Sequence, residues 1–187
     1  GGGNNGDGSM SVFPLVRDFI ETRDHRLMHR VHRWSAPQWV RLWMICATRC
    51  GDGWLWYALA LIVVLFGGPE RYLAVGSSFL AAGAGIAFFL FAKRVTGRRR
   101  PCHIAPHCWS TLLPPDQFSF PSGHTITAFA ILTPMAQLYP AYGMEFAFIG
   151  ASIAASRIIL GMHFLSDVIV GAVAGSLLGF VALELLR

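Results

Sequence analysis

The sequence predicts an all-α membrane fold, a bundle of six transmembrane helices preceded by an N-terminal amphipathic helix in the membrane interface. Hydrophobic residues make up 54% of the 187 residues, and charged residues make up only 13%. A soluble domain carries about 25% charged residues. The mean hydropathy is +0.50, and the apolar residues are gathered into long segments. This composition is typical of an integral membrane protein.

Residues 10–35 form the predicted amphipathic segment, and residues 36–187 form the membrane domain. Residues 1–9 are rich in glycine and asparagine, and we interpret them as a linker or tag remnant. A basic amphipathic helix lies in the plane of the lipid headgroups. Its apolar side is predicted to carry Val16, Phe19, Ile20, Leu27, Val31 and Trp34, and its basic side Arg17, Arg23, Arg26, Arg30 and Arg33 with His25, His29 and His32.

Six apolar segments follow, and each predicts a membrane-spanning helix. A span needs about 20 helical residues, so the first, second and fourth segments are short. The first is the least secure, because Arg41 and Arg49 would have to reach opposite interfaces. Gly171, Gly175 and Gly179 recur every four residues in the last segment and predict a close helix contact. The segments are residues 37–50, 54–68, 72–92, 124–139, 142–160 and 164–186.

The charge distribution suggests a topology. Six spans with the arginine-rich tail inside the cell would place the loops at 51–53, 93–123 and 161–163 on the outer face. The net charge of +5 is concentrated in clusters beside apolar segments, which is not the pattern of a nucleic-acid-binding protein. The cluster between Lys93 and Arg100 would then lie on the side that positive charge normally avoids. An anionic ligand would explain it.

The stretch from Ser156 to Asp167 carries a cation, an imidazole and a carboxylate between two apolar runs. His163 and Asp167 are four residues apart, so on a helix they share one face. An aspartate that orients one ring nitrogen leaves the other able to act as a nucleophile. Arg157 offers a planar guanidinium suited to phosphate oxygens. The alternative is a buried arginine–aspartate ion pair with a histidine that fills space.

A second site signal is Pro121-Ser122-Gly123-His124, which opens the fourth apolar segment. Backbone N–H groups of Ser122 and Gly123 at a helix N-terminus would favour an anion. Ser122 could equally be an ordinary N-cap, and His124 alone could be an interfacial histidine.

Together these stretches resemble the three-part signature of the type 2 phosphatidic acid phosphatase family. That signature reads Lys-x6-Arg-Pro, Pro-Ser-Gly-His and Ser-Arg-x5-His-x3-Asp, and all of its positions occur between residues 93 and 167. The resemblance implies catalysis by His163 as the nucleophile that forms a phosphohistidine, His124 as the acid and base, and Asp167 as the residue that orients His163. It implies that Lys93, Arg100, Arg157, Ser122 and Gly123 bind the phosphate.

The resemblance also implies a metal-independent hydrolase with no cofactor. Its substrate would be a lipid phosphate or diphosphate, with undecaprenyl diphosphate preferred over phosphatidylglycerol phosphate, phosphatidate or lipid A. The expected partners are the substrate and membrane lipids, and the expected location is a bacterial inner membrane with the active site on the periplasmic face. The alternatives are a non-catalytic lipid-binding protein and a vanadate-dependent haloperoxidase, which the apolar spans disfavour.

The loop from Cys102 to Cys108 contains two cysteines and two histidines, which could suggest zinc. The spacing is not that of a common zinc finger, so a Cys102–Cys108 disulfide is preferred.

Overall fold

The computed structural model describes residues 12–104 and 118–187, and its regular structure in these ranges is helical. The predicted all-α fold is therefore confirmed. Residues 1–9 and the partner cysteine Cys108 lie outside the described residues. The helices are α1 (Val12–Arg33), α2 (Gln38–Cys50), α3 (Trp54–Phe66), α4 (Arg71–Thr96), α5 (Pro101–Ile104), α6 (Gly123–Leu138), α7 (Gly143–Ile159) and α8 (Leu165–Leu186), with 3-10 turns at Gly68–Glu70 and Pro140–Tyr142.

Helices α2, α3, α4, α6, α7 and α8 coincide with the six predicted apolar segments. Their ends follow the local sequence. Gly97 ends α4 in the left-handed conformation, with φ of 58°, and its N–H donates to the carbonyl of Lys93. A residue with a Cβ rarely adopts that conformation, so this glycine lets the chain leave α4 and turn toward the following arginines.

Helix α6 lies at the centre of the bundle and packs against α4, α7 and α8. A row of glycines on α8 faces it. A Cβ on Gly175 would lie 2.4 Å from the carbonyl oxygen of Ile126, and a Cβ on Gly179 would lie 2.8 Å from that of Ala130. The close helix contact predicted from the glycine spacing is therefore confirmed, and it brings the starts of α6 and α8 side by side.

Five of the helices alternate in direction. Asp52, just before α3, contacts His124 at the start of α6, while the hydroxyl of Tyr139 just after α6 donates to the carbonyl of Gly67 just after α3 at 2.9 Å. Helices α4 and α7 run the other way, and α8 returns parallel to α3 and α6. One end of this bundle, the catalytic end, therefore gathers the starts of α3, α6 and α8 and the ends of α4 and α7.

Helix α2 departs from the predicted topology. It is bent by 67° relative to α3, so the two helices make at most one membrane span and not the two predicted. Val40 and Met44 pack with Leu160 and Met162, and Gly51 lies beside His124, so both halves of α2 are at the catalytic end. Within the described ranges, two helical segments are long and apolar enough to cross a membrane, Gly68–Thr96 and Leu165–Leu186, or three if the bent pair is one span. The predicted count of six spans is not confirmed.

The position of α1 also differs from the prediction. The sequence placed this helix on the opposite side of the membrane from the catalytic loops. In the structure the carboxylate of Asp24 accepts hydrogen bonds from Ser166 and Arg98 at the catalytic end. The arginine pattern predicted that α1 lies on the opposite side, but the buried Asp24 carboxylate holds it at the catalytic end. A buried charge needs specific partners, and those of Asp24 are at that end.

The glycine row gives a stability prediction. In Gly175→Ala the new methyl group would meet backbone atoms of α6, so α8 must move outward. Overpacking of this kind costs about 1–3 kcal/mol, and each kcal/mol lowers the thermal midpoint by about 2–4 °C. Thermal unfolding of detergent-purified protein should show this loss. Gly76→Ala is the matched control, because its Cβ would meet only the flexible Leu186 side chain at 3.6 Å; an equal loss in both variants would contradict the packing argument.

Candidate active site

A cavity of about 530 Å³ opens at the catalytic end and extends between α3, α4 and α6. Its polar end is lined by most of the residues singled out in the sequence. The remaining wall is apolar and reaches Met135, eleven residues along α6 from His124, which is about 16 Å of helix. The polar lining comprises Asp52, Lys93, Arg100, Gly123, His124, Arg157 and His163.

His163 lies between α7 and α8 and is almost completely buried. Its Nδ1 is 2.6 Å from the carbonyl oxygen of Ser119, and its Nε2 is 3.0 Å from Nη1 of Arg100. Because a guanidinium can only donate, Nε2 is the unprotonated nitrogen and Nδ1 carries the proton. Burial lowers the pKa of His163 to about 3, so the ring is neutral near pH 7. Its Nε2 lone pair faces the cavity cations.

The contact between Asp167 and His163 is less direct than predicted. Oδ2 of Asp167 is 3.8 Å from Nδ1 of His163, whereas the Ser119 carbonyl is within hydrogen-bond distance. Asp167 instead accepts a hydrogen bond from the Ser119 hydroxyl and another from the backbone N–H of Phe164 at 2.8 Å. The carboxylate therefore fixes the segment that holds the imidazole.

His124 is the second residue of α6, and its Nε2 donates to Oδ1 of Asp52 at 2.8 Å. Asp52 belongs to the 51–53 loop, to which the sequence assigned no part in the site. A Cβ on Gly51 would lie 3.0 Å from the imidazole, so the turn approaches closely enough to place the carboxylate. The sequence predicted only that this turn lies near the other loops. It did not indicate that Asp52 is the hydrogen-bond partner of His124.

The three predicted phosphate-binding cations meet at the cavity although they come from separate segments. Lys93 is in the last turn of α4, Arg100 precedes α5, and Arg157 is near the end of α7. The Arg100 guanidinium donates to the carbonyl of Met162 at 3.1 Å, and that of Arg157 donates to the hydroxyl of Thr48. These contacts aim both buried guanidinium groups at the same space.

Ser122 and Gly123 do not share one position. Ser122 is completely buried, its N–H donates to the Asp167 carbonyl at 3.2 Å, and its hydroxyl pairs with Thr125. It therefore joins the start of α6 to α8 and does not line the cavity, and its part in phosphate binding stays a prediction. Gly123 does line the cavity beside Phe89.

Sequence reasoning missed three partners of the predicted residues. Ser119 holds the His163 ring, Thr48 holds the Arg157 guanidinium, and Asp52 holds the His124 ring. Each comes from a segment with no recognisable motif. Within the ranges that the structure describes, no group of three or more His, Cys, Asp or Glu side chains is arranged to hold a metal.

Comparison with known proteins agrees with this geometry. The sequence model of the PAP2 superfamily matches residues 71–187, which include every signature motif. The chain belongs to the PAP2 superfamily. A decaprenylphosphoryl-5-phosphoribose phosphatase of Mycobacterium tuberculosis is 36% identical over 135 residues, 69% of each chain. A lipid A 1-phosphatase of Rhizobium johnstonii is 34% identical over 88 residues, 45% of this chain and 36% of that protein.

Solved PAP2 structures share the fold. The crystal structure of Aquifex aeolicus LpxE has a TM-score of 0.70 and 24% identity, and covers 85% of this chain and 93% of that one. The crystal structure of a PAP2-type phosphatidylglycerolphosphate phosphatase of Bacillus subtilis has a TM-score of 0.69 and 21% identity. The match covers 90% of this chain and 86% of that one. These structures show the shared fold, and the family match with the sequence relatives supports an integral membrane phosphatase of the PAP2 type.

Proposed function

We propose that this PAP2 protein hydrolyses the terminal phosphate of a polyprenyl-linked lipid phosphate or diphosphate through a phosphohistidine intermediate. The observation that carries the proposal is the cavity, which joins two histidines and three cations at one end to an apolar channel at the other. A molecule that fits both ends has a phosphate head and a hydrocarbon tail.

The apolar part of the cavity suits a single long tail. Small side chains such as Ala60, Ala82 and Gly83 leave the space, and Trp56 and Ile131 line it. The cavity follows about 16 Å of α6, roughly half of a ~30 Å hydrocarbon core. A lipid could therefore place its phosphate among the cations while the first part of its tail lies between the helices.

The nucleophile in this proposal is Nε2 of His163. Its lone pair attacks phosphorus, the bond from phosphorus to the leaving oxygen breaks, and the phosphoryl group is transferred to the ring. The Ser119 carbonyl accepts a hydrogen bond from Nδ1–H and stabilises the positive charge that develops on the imidazole. Arg100 lies 3.0 Å from Nε2, so its guanidinium can move onto a phosphoryl oxygen as attack begins.

His124 is the proposed acid and base. As an imidazolium it gives a proton to the leaving oxygen, and as a neutral ring it then takes one from the water that attacks the phosphohistidine. Because Nε2 bonds Asp52, Nδ1 is the nitrogen that exchanges the proton. The Asp52 carboxylate accepts from Nε2 and so orients the ring for both steps.

Lys93, Arg100 and Arg157 are the proposed phosphoryl clamp, with the amide of Gly123 at the N-terminus of α6. Charge spreads over the phosphoryl oxygens in the transition state, and fixed donors in a protected cavity stabilise it more than water does. No step requires a metal ion, and we propose that the enzyme is metal-independent.

Substitution of the two histidines tests the mechanism. His163→Ala should abolish turnover, and His124→Ala should lower kcat by about 10²- to 10⁴-fold. Asp52→Asn should lose less, about 10-fold, since it removes the partner of His124 and not the ring itself. Phosphate release by purified protein measures all three, and His29→Ala on the exposed side of α1 is the control. Substantial turnover in His163→Ala would refute the mechanism, and folded but inactive wild-type protein would favour a lipid-binding role.

The relatives narrow the proposed substrate class. A decaprenylphosphoryl-5-phosphoribose phosphatase, by its name, acts on a phosphorylated sugar carried by a polyprenyl chain, and it is a relative along 69% of this chain. Undecaprenyl diphosphate, preferred from the sequence, shares the polyprenyl tail but places the phosphate nearer to it. Both substrates carry one long tail, which is what the single apolar channel suits.

A substrate panel tests this class. Release of inorganic phosphate should be measured in detergent with EDTA for polyprenylphosphoryl phosphoribose, undecaprenyl diphosphate, phosphatidylglycerol phosphate, phosphatidate and lipid A. We expect kcat/KM to be at least about 10-fold higher for a polyprenyl substrate, which corresponds to about 1.4 kcal/mol in the transition state. The same margin in favour of a two-chain phospholipid would overturn the tail assignment, and loss of activity with EDTA that zinc restores would overturn metal independence.

The arrangement of the chain also bears on its orientation in what we propose to be a bacterial inner membrane. We propose five crossings, by α3, α4, α6, α7 and α8, with α1 and α2 in the interface at the catalytic end. Of the 14 lysines and arginines whose side chains the structure describes, only Arg71 and Arg187 lie at the opposite end. The periplasmic location predicted from the sequence depended on α1 lying opposite the active site. With both at one end, the positive-inside rule favours a cytoplasmic catalytic face, and we propose this orientation.

Single-cysteine labelling distinguishes the two orientations. In a chain whose four cysteines are replaced by serine, Arg26→Cys reports the catalytic end and Met144→Cys the opposite end. Both positions are exposed. A membrane-impermeant maleimide added to intact spheroplasts should label Met144→Cys and not Arg26→Cys, while both react after lysis. The reverse pattern would restore the periplasmic active site.

A further inference from the structure

Arg98 lies within the first signature motif but is not one of its defining positions, and the structure gives it specific partners. Its Nη1 donates to Oδ1 of Asp167 and to the hydroxyl of Ser166, each at 2.7 Å. Its Nη2 donates to Oδ2 of Asp24 at 2.7 Å. The guanidinium also stacks over the ring of Phe164, 4.3 Å from its centroid. Arg98 therefore bridges two carboxylates and is directed away from the phosphate cavity.

Asp24 is the α1 end of this bridge. It is 4% exposed, on a helix whose neighbouring arginines Arg23 and Arg26 are exposed. Besides Arg98 it accepts hydrogen bonds from the backbone N–H of Ser166 at 3.1 Å and from the Ser166 hydroxyl at 2.5 Å. All of these donors belong to the catalytic end, so Asp24 is a fixed acceptor there and not a surface charge.

The electrostatics explain why both carboxylates need Arg98. Asp167 has no exposed surface, and a buried carboxylate is costly unless charged and polar donors surround it. A guanidinium can serve two carboxylates at once because its N–H groups point in different directions within one plane. A lysine at this position would supply charge but not that planar pair of donors.

We propose that Arg98 and Asp24 are positioning residues of the phosphatase reaction, so that helix α1 completes the catalytic centre. Asp24 fixes the Arg98 guanidinium, Arg98 fixes the Asp167 carboxylate, and Asp167 holds Ser119, whose carbonyl orients His163. The inference rests on the proposed function, because its readout is that reaction.

Asp24 lies outside residues 71–187, the part that the PAP2 superfamily model matches. The proposal therefore assigns a role in catalysis to a segment that precedes the family core. It also explains the position of α1 at the catalytic end, because the donors to the buried Asp24 carboxylate, Arg98 and Ser166, are at that end.

Two substitutions separate the parts of the bridge. Asp24→Asn keeps the shape but removes the charge, and Arg98→Lys keeps the charge but removes the planar donor pair. Because misplacement of a catalytic group by about 1 Å can cost about 100-fold in rate, we expect kcat to fall by about 10- to 100-fold in each variant, with KM changed by less than about 3-fold. The matched controls are Asp18→Asn on the exposed side of α1 and Arg94→Lys at the exposed end of α4, which should keep kcat within about 2-fold of wild type.

A double-mutant cycle distinguishes positioning from general destabilisation. If Asp24 acts through Arg98, the double variant should lose no more than about the larger single loss, since additivity fails for residues that act together. The thermal midpoints of the same variants should be measured in parallel, and the fall in midpoint should not rank the variants in the same order as the fall in kcat. If Asp24→Asn does not accumulate as folded protein, Asp24→Glu and Ser166→Ala take its place. Asp24→Glu keeps the charge, so it should retain more activity than the double variant that combines Ser166→Ala with Arg98→Lys.

The outcomes are distinguishable from failure of the proposed function. An inactive wild-type enzyme would refute the function itself. Active wild type, with folded Asp24→Asn and Arg98→Lys that both keep kcat within about 2-fold, would overturn the positioning role alone. Fully additive losses that track the thermal midpoint would likewise overturn it and leave α1 as a stabilising helix.

Discussion

The buried carboxylate of Asp167 is the group on which the catalytic end depends. With no exposed surface it needs donors from the protein, and these come from Arg98, the Ser119 hydroxyl and the Phe164 N–H. The donors belong to separate loops, so satisfying one charge fixes those loops relative to α8. A buried carboxylate is costly unless donors surround it, so these contacts keep the loops in place. The orientation of His163 follows from this requirement, because Ser119 both donates to Asp167 and accepts from the imidazole.

The helix packing provides the frame for that network. Glycines on α8 let its backbone approach α6, and the N–H of Ser122 can then donate to the Asp167 carbonyl at 3.2 Å. In a bilayer, helices gain little by excluding hydrocarbon from one another, so close van der Waals contact at small residues is a main source of association. The same row that joins α6 to α8, including Gly171 and Gly175, thus places the two helix starts that carry His124 and Asp167.

Charge and apolar space are separated along the cavity, and this separation connects the fold to a lipid substrate. The cations are held at the catalytic end by carbonyl and hydroxyl acceptors, as Arg100 is by Met162 and Arg157 by Thr48. Helices α1 and α2 lie at this same end and contribute partners from outside the central bundle. The candidate site therefore draws side-chain partners both from the family core and from the segment that precedes it.

The sequence by itself determined the helical class, the positions of six helices, the close contact of the α8 glycines and the residues that gather at one cavity. Apolar periodicity, glycine spacing and fixed motif spacing are local properties, so they can be read from one chain. Tertiary structure alone decided that α2 lies across the catalytic end, that Ser122 joins two helices instead of facing the cavity, and that Asp52 and Asp24 partner His124 and Arg98. These pairings join residues about 70 positions apart. Such contacts depend on how the helices pack and on which donor lies beside each buried charge, and no local sequence pattern encodes either.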